Sequence, residues 1–497
     1  MTLLIVIYCS CALMLMLYGI NCHVLTWLYH RNRKTSQLLD QQVLRDFYGE
    51  KLPNDAALNQ MAHRLPVVTT QLPVYNERNV VERLIDAVAA FRYPAGRHEI
   101  QVLDDSTDET RRIVAAKVAQ LKKRGVDIHH IIRHHRTGYK AGALREGMTK
   151  ARGDFTAIFD ADFLPPSDFL LRAMPFFTAD EHLGFVQGRW GHLNRRESLI
   201  TRLQAIGIDG HFMVEQSARS GSGLYLNFNG TAGIFRNLAI VDAGNWQDDT
   251  LTEDMDLSYR IQLAGWGCRF VSDLVAPAEI PNDVNAFKNQ QFRWAKGSIQ
   301  TALKLLPRIL RTRRRPFVKF QAVMHLTHYM VHPLMLFMAI TALPILLAGG
   351  LSLQPMIFSL FVGLLAVSFT GPSRLYLTAE WALGINRRKA LLLLPIMIPF
   401  GCGLAINNSR AVFEALLGRQ SGFVRTPKRG HLRAKVYAIG QNRFFLLEMA
   451  ASIWCLVGAL AFFLSRVYLV GPFLLIYTIG FCFIGMLSWR HMNPKVV

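Results

Sequence analysis

Residues 2–28 are almost uninterrupted apolar and run directly into His30-Arg31-Asn32-Arg33-Lys34. At 1.5 Å per residue, a helical run of this length crosses roughly 30 Å of hydrocarbon. A cleaved leader carries its charges ahead of the apolar core, whereas here they follow it. The pattern predicts a transmembrane anchor with residues 29 onward in the cytosol. The same signal returns after residue 320, with candidate spans at about 322–347, 352–371, 389–407, 446–466 and 469–488.

Basic residues decide how these segments thread. Arg425, Lys428, Arg429, Arg433 and Lys435 in 408–445, and Arg490, His491 and Lys495 near the C-terminus, predict cytosolic positions for both stretches. An even number of crossings must then separate the soluble middle from residue 408, yet three candidates lie there. The stretch 389–407 carries Pro395 and Pro399 and runs into Asn407-Asn408-Ser409-Arg410, so it reads as interfacial or re-entrant. Five spans result, with the N-terminus outside and the C-terminus inside.

The formal charge of +21, on a chain that is 51% hydrophobic, fits this placement. Arg308, Arg311, Arg313, Arg314, Arg315 and Lys319 precede the first C-terminal span. Facing an anionic leaflet, each contributes about 1 kcal/mol. No nucleic-acid motif accompanies the charge, so the lipid bilayer is the expected partner and nucleic acid is not. The apolar content excludes disorder. The seven cysteines fall mostly inside apolar runs without metal-ligand spacing, which excludes a disulfide scaffold.

Between residues 60 and 310 the composition is that of a soluble domain. Val67–Leu72, Glu99–Asp105, Ile128–Arg133, Phe155–Asp160 and Gly184–Gln187 read as strands, and Val81, Leu84, Ile85 and Val88 lie at helical spacing between the first two. This alternation predicts an α/β fold with a largely parallel sheet. Ligands of such sheets bind at the carboxyl ends of the strands.

Those ends carry the chemistry. Asp160-Ala161-Asp162 closes one strand, and two carboxylates so spaced can share a divalent cation that clamps a diphosphate. Asp104-Asp105-Ser106 closes another. Asn76 and Glu77 follow the first strand, as the loop beneath a nucleotide. Lys140, between Gly138 and Gly142, opens a helix and suits a phosphate. In Thr252-Glu253-Asp254, a carboxylate can serve as general base toward an acceptor hydroxyl. On a helix, Gln290, Arg293, Trp294 and Gly297 share one face: Trp offers a stacking surface for a sugar and Arg a phosphate fork.

In their order, these motifs resemble the processive, membrane-embedded family 2 glycosyltransferases: cellulose, chitin and hyaluronan synthases and their relatives. Gly188-Arg189-Trp190-Gly191-His192-Leu193-Asn194 and Gln291–Thr301 are similar to the cellulose-synthase-like (gluco)mannan and glucan-backbone synthases. The resemblance implies a GT-A-type (Rossmann-like) cytosolic catalytic domain inserted in an α-helical multi-span membrane domain. The expected organisation is an N-terminal transmembrane helix (1–30), a cytosolic linker (31–64), the catalytic domain (65–282), interfacial helices (283–319) and a C-terminal membrane region (320–497) with a gating-like loop within 408–445.

The resemblance also assigns roles. Asp160 and Asp162 would hold Mg²⁺ or Mn²⁺. Glu77 and Asp104 or Asp105 would hold the nucleoside end of the donor, and Lys140 a phosphate. Asp254, beside Glu253, would take the acceptor proton, Arg293 would offset charge on the leaving diphosphate, and Trp294, with Gln290, would meet the acceptor. Asn229, Gly230 and Thr231 look like the loop that supports the acceptor sugar. Phe423-Val424-Arg425-Thr426-Pro427-Lys428 is similar to the cellulose-synthase gating loop, with Arg425 in place of Val, and gives Thr426 and Lys428 to the diphosphate. The implied reaction transfers hexose from GDP-mannose or UDP-glucose to a growing β-1,4-polysaccharide at a bacterial inner (cytoplasmic) membrane. The alternatives are a non-processive enzyme making a glycolipid or lipid-linked sugar, and a transporter or scaffold whose acidic strand ends are decorative.

Overall fold

The computed structural model describes residues 2–348, 355–420 and 444–491, with the backbone alone for 355–362. The gating-like stretch, with Thr426 and Lys428, lies outside the described residues. Seven strands are formed: β1 (Val68–Val74), β2 (His98–Asp104), β3 (Ile128–Ile132), β4 (Phe155–Ile158), β5 (Leu183–His192), β6 (Gly233–Arg236) and β7 (Gly267–Ala278). They make one sheet in the order β3-β2-β1-β4-β6-β5-β7.

β1 through β4 form the expected parallel half, alternating with helices. The Val81–Ala89 helix buries the stripe that its spacing predicted: Val81, Leu84, Ile85 and Val88. These side chains meet Val68, Leu72, Ile100 and Val102 of β1 and β2 in one core. The other half is mixed rather than parallel. β6 lies antiparallel between β4 and β5, and β5 runs parallel to β7. β6 has only Ile234 and Phe235 between Gly233 and Arg236, too few apolar residues to read as a run. β7 hides its period in another way, because its pairing with β5 shifts register beside Gly188 and Arg189. β5 itself continues to His192, past the expected end at Gln187, and this extension reaches the functional edge.

The N-terminal helix is the largest departure from the expected domain plan. It runs unbroken from Thr2 to Tyr48, well past residue 30, so most of the expected linker is helix. Residues 31–48 contain no Gly or Pro to stop it, and Gly49 at φ +83° ends it. Its second half packs on the catalytic domain. Arg269 donates to Asp40 at 2.5 and 2.9 Å, Asn32 donates to Ser222 at 2.8 Å, and Phe47 is buried in the domain core.

Among the described residues, four helices are long and apolar enough to cross a membrane: Thr2–Tyr48, His328–Leu347, Phe445–Leu464 and Gly471–Arg490. The expected span 322–347 is shortened, because Pro316–Leu326 forms a separate helix ahead of it. The helix Pro355–Ala382 lies against the N-terminal helix so closely that a Cβ on Gly371 would stand 2.2 Å from the Gly19 carbonyl oxygen. Small residues permit this backbone approach where no hydrophobic effect draws helices together. Arg387–Gly403 and Ala405–Leu416 form a pair bent by 40°, the geometry of a broken span or a re-entrant loop. It covers the stretch whose prolines and asparagines set it apart in the sequence.

Candidate active site

The carboxyl ends of β1, β2 and β4 open into a cavity of about 600 Å³. Its walls bring together Glu77, Asp105, Lys140, Asp160, Asp162, Asn229, Gly230, Glu253, Asp254, Gln290, Arg293 and Trp294. Residues from seven separate stretches of the sequence thus meet in one place.

β2 delivers its two aspartates to different fates. Asp104 is fully buried and accepts from the Ser106 amide (2.8 Å) and from His130 Nε2 (2.9 Å), so it fixes the strand end and stays out of the cavity. Asp105 lines the cavity. Arg133 holds it with two bonds of 2.7 and 2.5 Å and donates also to the carbonyls of Thr137 (3.0 Å) and Tyr139 (2.8 Å), fastening the loop that precedes Lys140. The Arg136 guanidinium lies 3.5 Å from the Tyr75 ring centroid and 4.9 Å from that of Tyr139.

The helix Tyr139–Lys150 points Lys140 at β4. Its Nζ donates to Asp160 Oδ1 at 2.6 Å and to the Gly230 carbonyl at 2.8 Å. Burial lowers the basicity of this amine, but Asp160 and Glu253 outweigh it and hold the ammonium above its ordinary value. Thr231 is buried, with its hydroxyl accepting from the Asp160 amide at 2.9 Å, so it supports Asp160 from behind rather than lining the cavity. Gly230 sits at φ +80°, and a Cβ there would lie 2.9 Å from Asp254 Oδ2. Only glycine allows this loop and the Asp254 carboxylate to approach this closely.

Glu253 and Asp254 open the helix Glu253–Leu263. This turn is docked on the long helix Val284–Arg311 through Gly297, where a Cβ would lie 2.8 Å from the Thr252 amide nitrogen. Gln300 Oε1 accepts from the Leu251 amide at 2.9 Å across the same joint. The helix thereby carries Gln290, Arg293 and Trp294 to the cavity on the shared face that their spacing predicts. Electrostatics show how crowded the charges are. Burial and then Glu253 push the Asp254 carboxyl up to about 7, and burial likewise raises Glu253 against the pull of Lys140. Burial lowers Arg293, although Glu253, Asp160, Asp254 and Asp162 all favour its charged form.

The residues fit a divalent cation. Asp160, Asp162, Glu253 and Asp254 outnumber the facing cations Lys140 and Arg293, and hard carboxylate oxygens are the donors that Mg²⁺ and Mn²⁺ prefer. Among the described residues, no three His, Cys, Asp or Glu side chains gather as a closed metal cage. An ion held here would take few protein oxygens and leave positions open for a diphosphate. Tyr75, Arg136, Tyr139, Trp190 and His192 also line the cavity, and sequence reasoning gave them no role. The signal for the last two was period-two alternation on a strand taken to end at Gln187.

The arrangement is that of a nucleotide-sugar transferase domain: a sheet edge bearing paired acids, a lysine, and a helix presenting Arg and Trp. Residues 66–297 match the family model "Glycosyltransferase like family 2". The chain is 33% identical over 478 residues to glucomannan 4-beta-mannosyltransferase 9 of Arabidopsis thaliana, covering 92% of this chain and 87% of that protein. It is 42% identical over 258 residues to glucomannan 4-beta-mannosyltransferase 2 of the same plant, covering 51% and 48% respectively. That second match spans about half the length of the relative. The solved structure of mannosyltransferase PcManGT from Pyrobaculum calidifontis, in complex with GDP-Man and Mn²⁺, aligns with a TM-score of 0.47 at 20% identity, covering 82% of this chain and 100% of that one. The chain belongs to the family 2 glycosyltransferases, with a GT-A-type sheet and candidate membrane helices.

Proposed function

We propose that the chain is an inverting hexosyltransferase of the membrane that lengthens a β-1,4-linked polysaccharide, taking mannose or glucose from a nucleotide diphosphate donor. The observation that carries this reading is the meeting of Asp254, Lys140, Asp160 and Arg293 around one cavity, with Trp294 on its wall. Similarity to glucomannan mannosyltransferases supports mannose as the sugar and a β-1,4 polymer as the product.

In the proposed reaction, Trp294 and the Asn229–Gly230 loop hold the acceptor sugar. Its hydroxyl oxygen attacks the anomeric carbon while Asp254 takes the proton. The new glycosidic C–O bond forms as the C–O bond to the diphosphate breaks, and the electron pair leaves with the nucleoside diphosphate. Lys140 and Arg293 stabilise that leaving charge, in a site where their orientation is already set. A divalent cation on Asp160 and Asp162 would supply further charge neutralisation at the diphosphate. Asp105, Glu77 and the Tyr75–Arg136–Tyr139 stack lie where the nucleoside end would rest. The catalytic domain would face the cytosol, where nucleotide sugars are made.

The donor is tested by incubating membranes containing the chain with labelled GDP-mannose or UDP-glucose and digesting the product. A mannanase-sensitive polymer from GDP-mannose is the expected result. A β-glucanase-sensitive polymer from UDP-glucose would reassign the sugar, and no incorporation from either would overturn the reading.

A further inference from the structure

Beyond Trp294, one part of the cavity wall has no role in the reaction as described. Trp190 and His192 lie two residues apart on β5, so their side chains leave the same face of the sheet, and both line the cavity. The Trp190 ring centroid is 6.3 Å from that of Trp294 and 5.3 Å from that of Phe163. Its indole Nε1 is buried without a hydrogen-bond partner among the described residues. That nitrogen is closed off from the cavity, so the ring offers the cavity its apolar face.

His192 is built in more firmly. Its side chain is 6% exposed, and its Nε2 lies 2.8 Å from Asp209 Oδ1, itself 1% exposed. A carboxylate can only accept, so in the neutral ring the proton sits on Nε2 and Nδ1 keeps a lone pair. Asp209 is anchored in turn. Arg195 donates to its other oxygen and, through Nη2, to both oxygens of Glu380 at 2.6 and 2.7 Å. Glu380 belongs to the helix Pro355–Ala382, which packs along the N-terminal helix. A four-residue chain of charge therefore runs from the membrane-side helices to one imidazole in the cavity wall. Holding a ring in a single tautomer through this much buried charge has a use if the other nitrogen meets a ligand.

We propose that His192 and Trp190 form a second acceptor-sugar subsite next to Trp294, in which His192 Nδ1 accepts a hydrogen bond from a hydroxyl of the incoming glycan end. Trp190 supplies an apolar face to the same sugar. Asp209 is the positioning residue that selects the imidazole tautomer. This inference rests on the polysaccharide-synthase reading and extends it from one acceptor sugar to at least two. A transferase that accepts a glycan end, rather than a lone sugar, needs such a neighbour.

The test uses the full chain, purified in detergent, with labelled GDP-mannose and UDP-glucose as donors and short β-1,4-manno- or cello-oligosaccharides as acceptors. His192→Phe is expected to raise the acceptor KM about fivefold to twentyfold, the worth of one lost hydrogen bond, with the donor KM unchanged. Products from unprimed reactions should be shorter, because the chain end leaves more often. Two conservative variants separate ligand contact from support. His192→Asn keeps an acceptor near the position of Nδ1 and should recover part of the acceptor affinity. His192→Gln keeps the partner of Asp209 and should not. Asp209→Asn should weaken acceptor binding while the nucleotide still binds, which also reports an intact fold. Recovery by Gln and not by Asn, or an acceptor KM in His192→Phe equal to wild type, overturns the inference while leaving the transferase reading in place. A wild-type chain that turns over neither donor overturns both.

Discussion

At the scale of single residues, the cavity sets opposed demands on two neighbouring acids. Glu253 and Asp254 both sit at the start of one helix; burial makes both harder to ionise, and Glu253 adds to the effect on Asp254. A base must be ionised to act. With Asp254 pushed up to about 7 by burial and by Glu253, transfer is expected to be full above that pH and to fall as pH drops through it. The acid limb of kcat/KM measured from alkaline to acid pH checks this, and it should shift downward as Mn²⁺ is raised, since added positive charge favours the carboxylate. The same raised pKa has a sign for stability. In the folded chain the charged form is disfavoured, so wild type is penalised above the unfolded pKa and not below it. Asp254→Asn should therefore match or exceed wild type in Tm near pH 8 and lose that advantage below about pH 4. Lys140→Met should raise the donor KM by about tenfold or more, because a buried ammonium facing a diphosphate is lost. Asp254, Lys140 and Arg293 were legible in the sequence because each sits in a motif whose spacing survives without the fold. Which of Asp104 and Asp105 faces the cavity was not legible, because it depends on His130 and Arg133, residues of the neighbouring strand and of the loop after it.

At the scale of elements, the site depends on how the long helix Val284–Arg311 meets the turn at Thr252. Gly297 is the contact, and a methyl group there would lie 2.5 Å from Thr252 Cγ2 and 2.8 Å from the Thr252 amide nitrogen. Gly297→Ala should therefore displace Arg293 and Trp294 relative to Asp254. The expected outcome is a fall in kcat of about tenfold or more with nucleotide affinity almost unchanged, checked by turnover alongside a nucleotide-binding titration. The parallel half of the sheet was legible because its strands are short apolar runs and the Val81–Ala89 helix carries a clean helical period. β6 and β7 were not, since one has only Ile234 and Phe235 between Gly233 and Arg236 and the other shifts register against β5. The cost of that gap was functional, because the extension of β5 carries Trp190 and His192 to the cavity.

At the scale of the whole molecule, catalytic and membrane parts are joined by buried charge. Lys288, near the start of the site helix, donates to Glu448 on the helix Phe445–Leu464 and, at 3.2 Å, to Ser488 on the helix Gly471–Arg490. Its side chain and that of Glu448 are almost fully buried. Removing one partner strands the other, so Glu448→Ala should destabilise the detergent-solubilised chain by about 3 to 5 kcal/mol, whereas replacing both with apolar residues should cost far less. Thermal unfolding of the single and double variants checks this. Apolar runs made the candidate membrane helices legible, but not the continuation of the first helix to Tyr48, which follows from Asp40 and Phe47 finding partners far away in the sequence. The central claim is that one cavity lengthens a polysaccharide with Asp254 as its base. The most direct measurement supplies labelled GDP-mannose and UDP-glucose to membranes carrying wild type or Asp254→Asn, then separates polymer from lipid-extractable product. A polymer degraded by endo-β-1,4-hydrolases from wild type, and none from an Asp254→Asn chain that still binds nucleotide, is the predicted result. A glycolipid product, or transfer retained by Asp254→Asn, would contradict it.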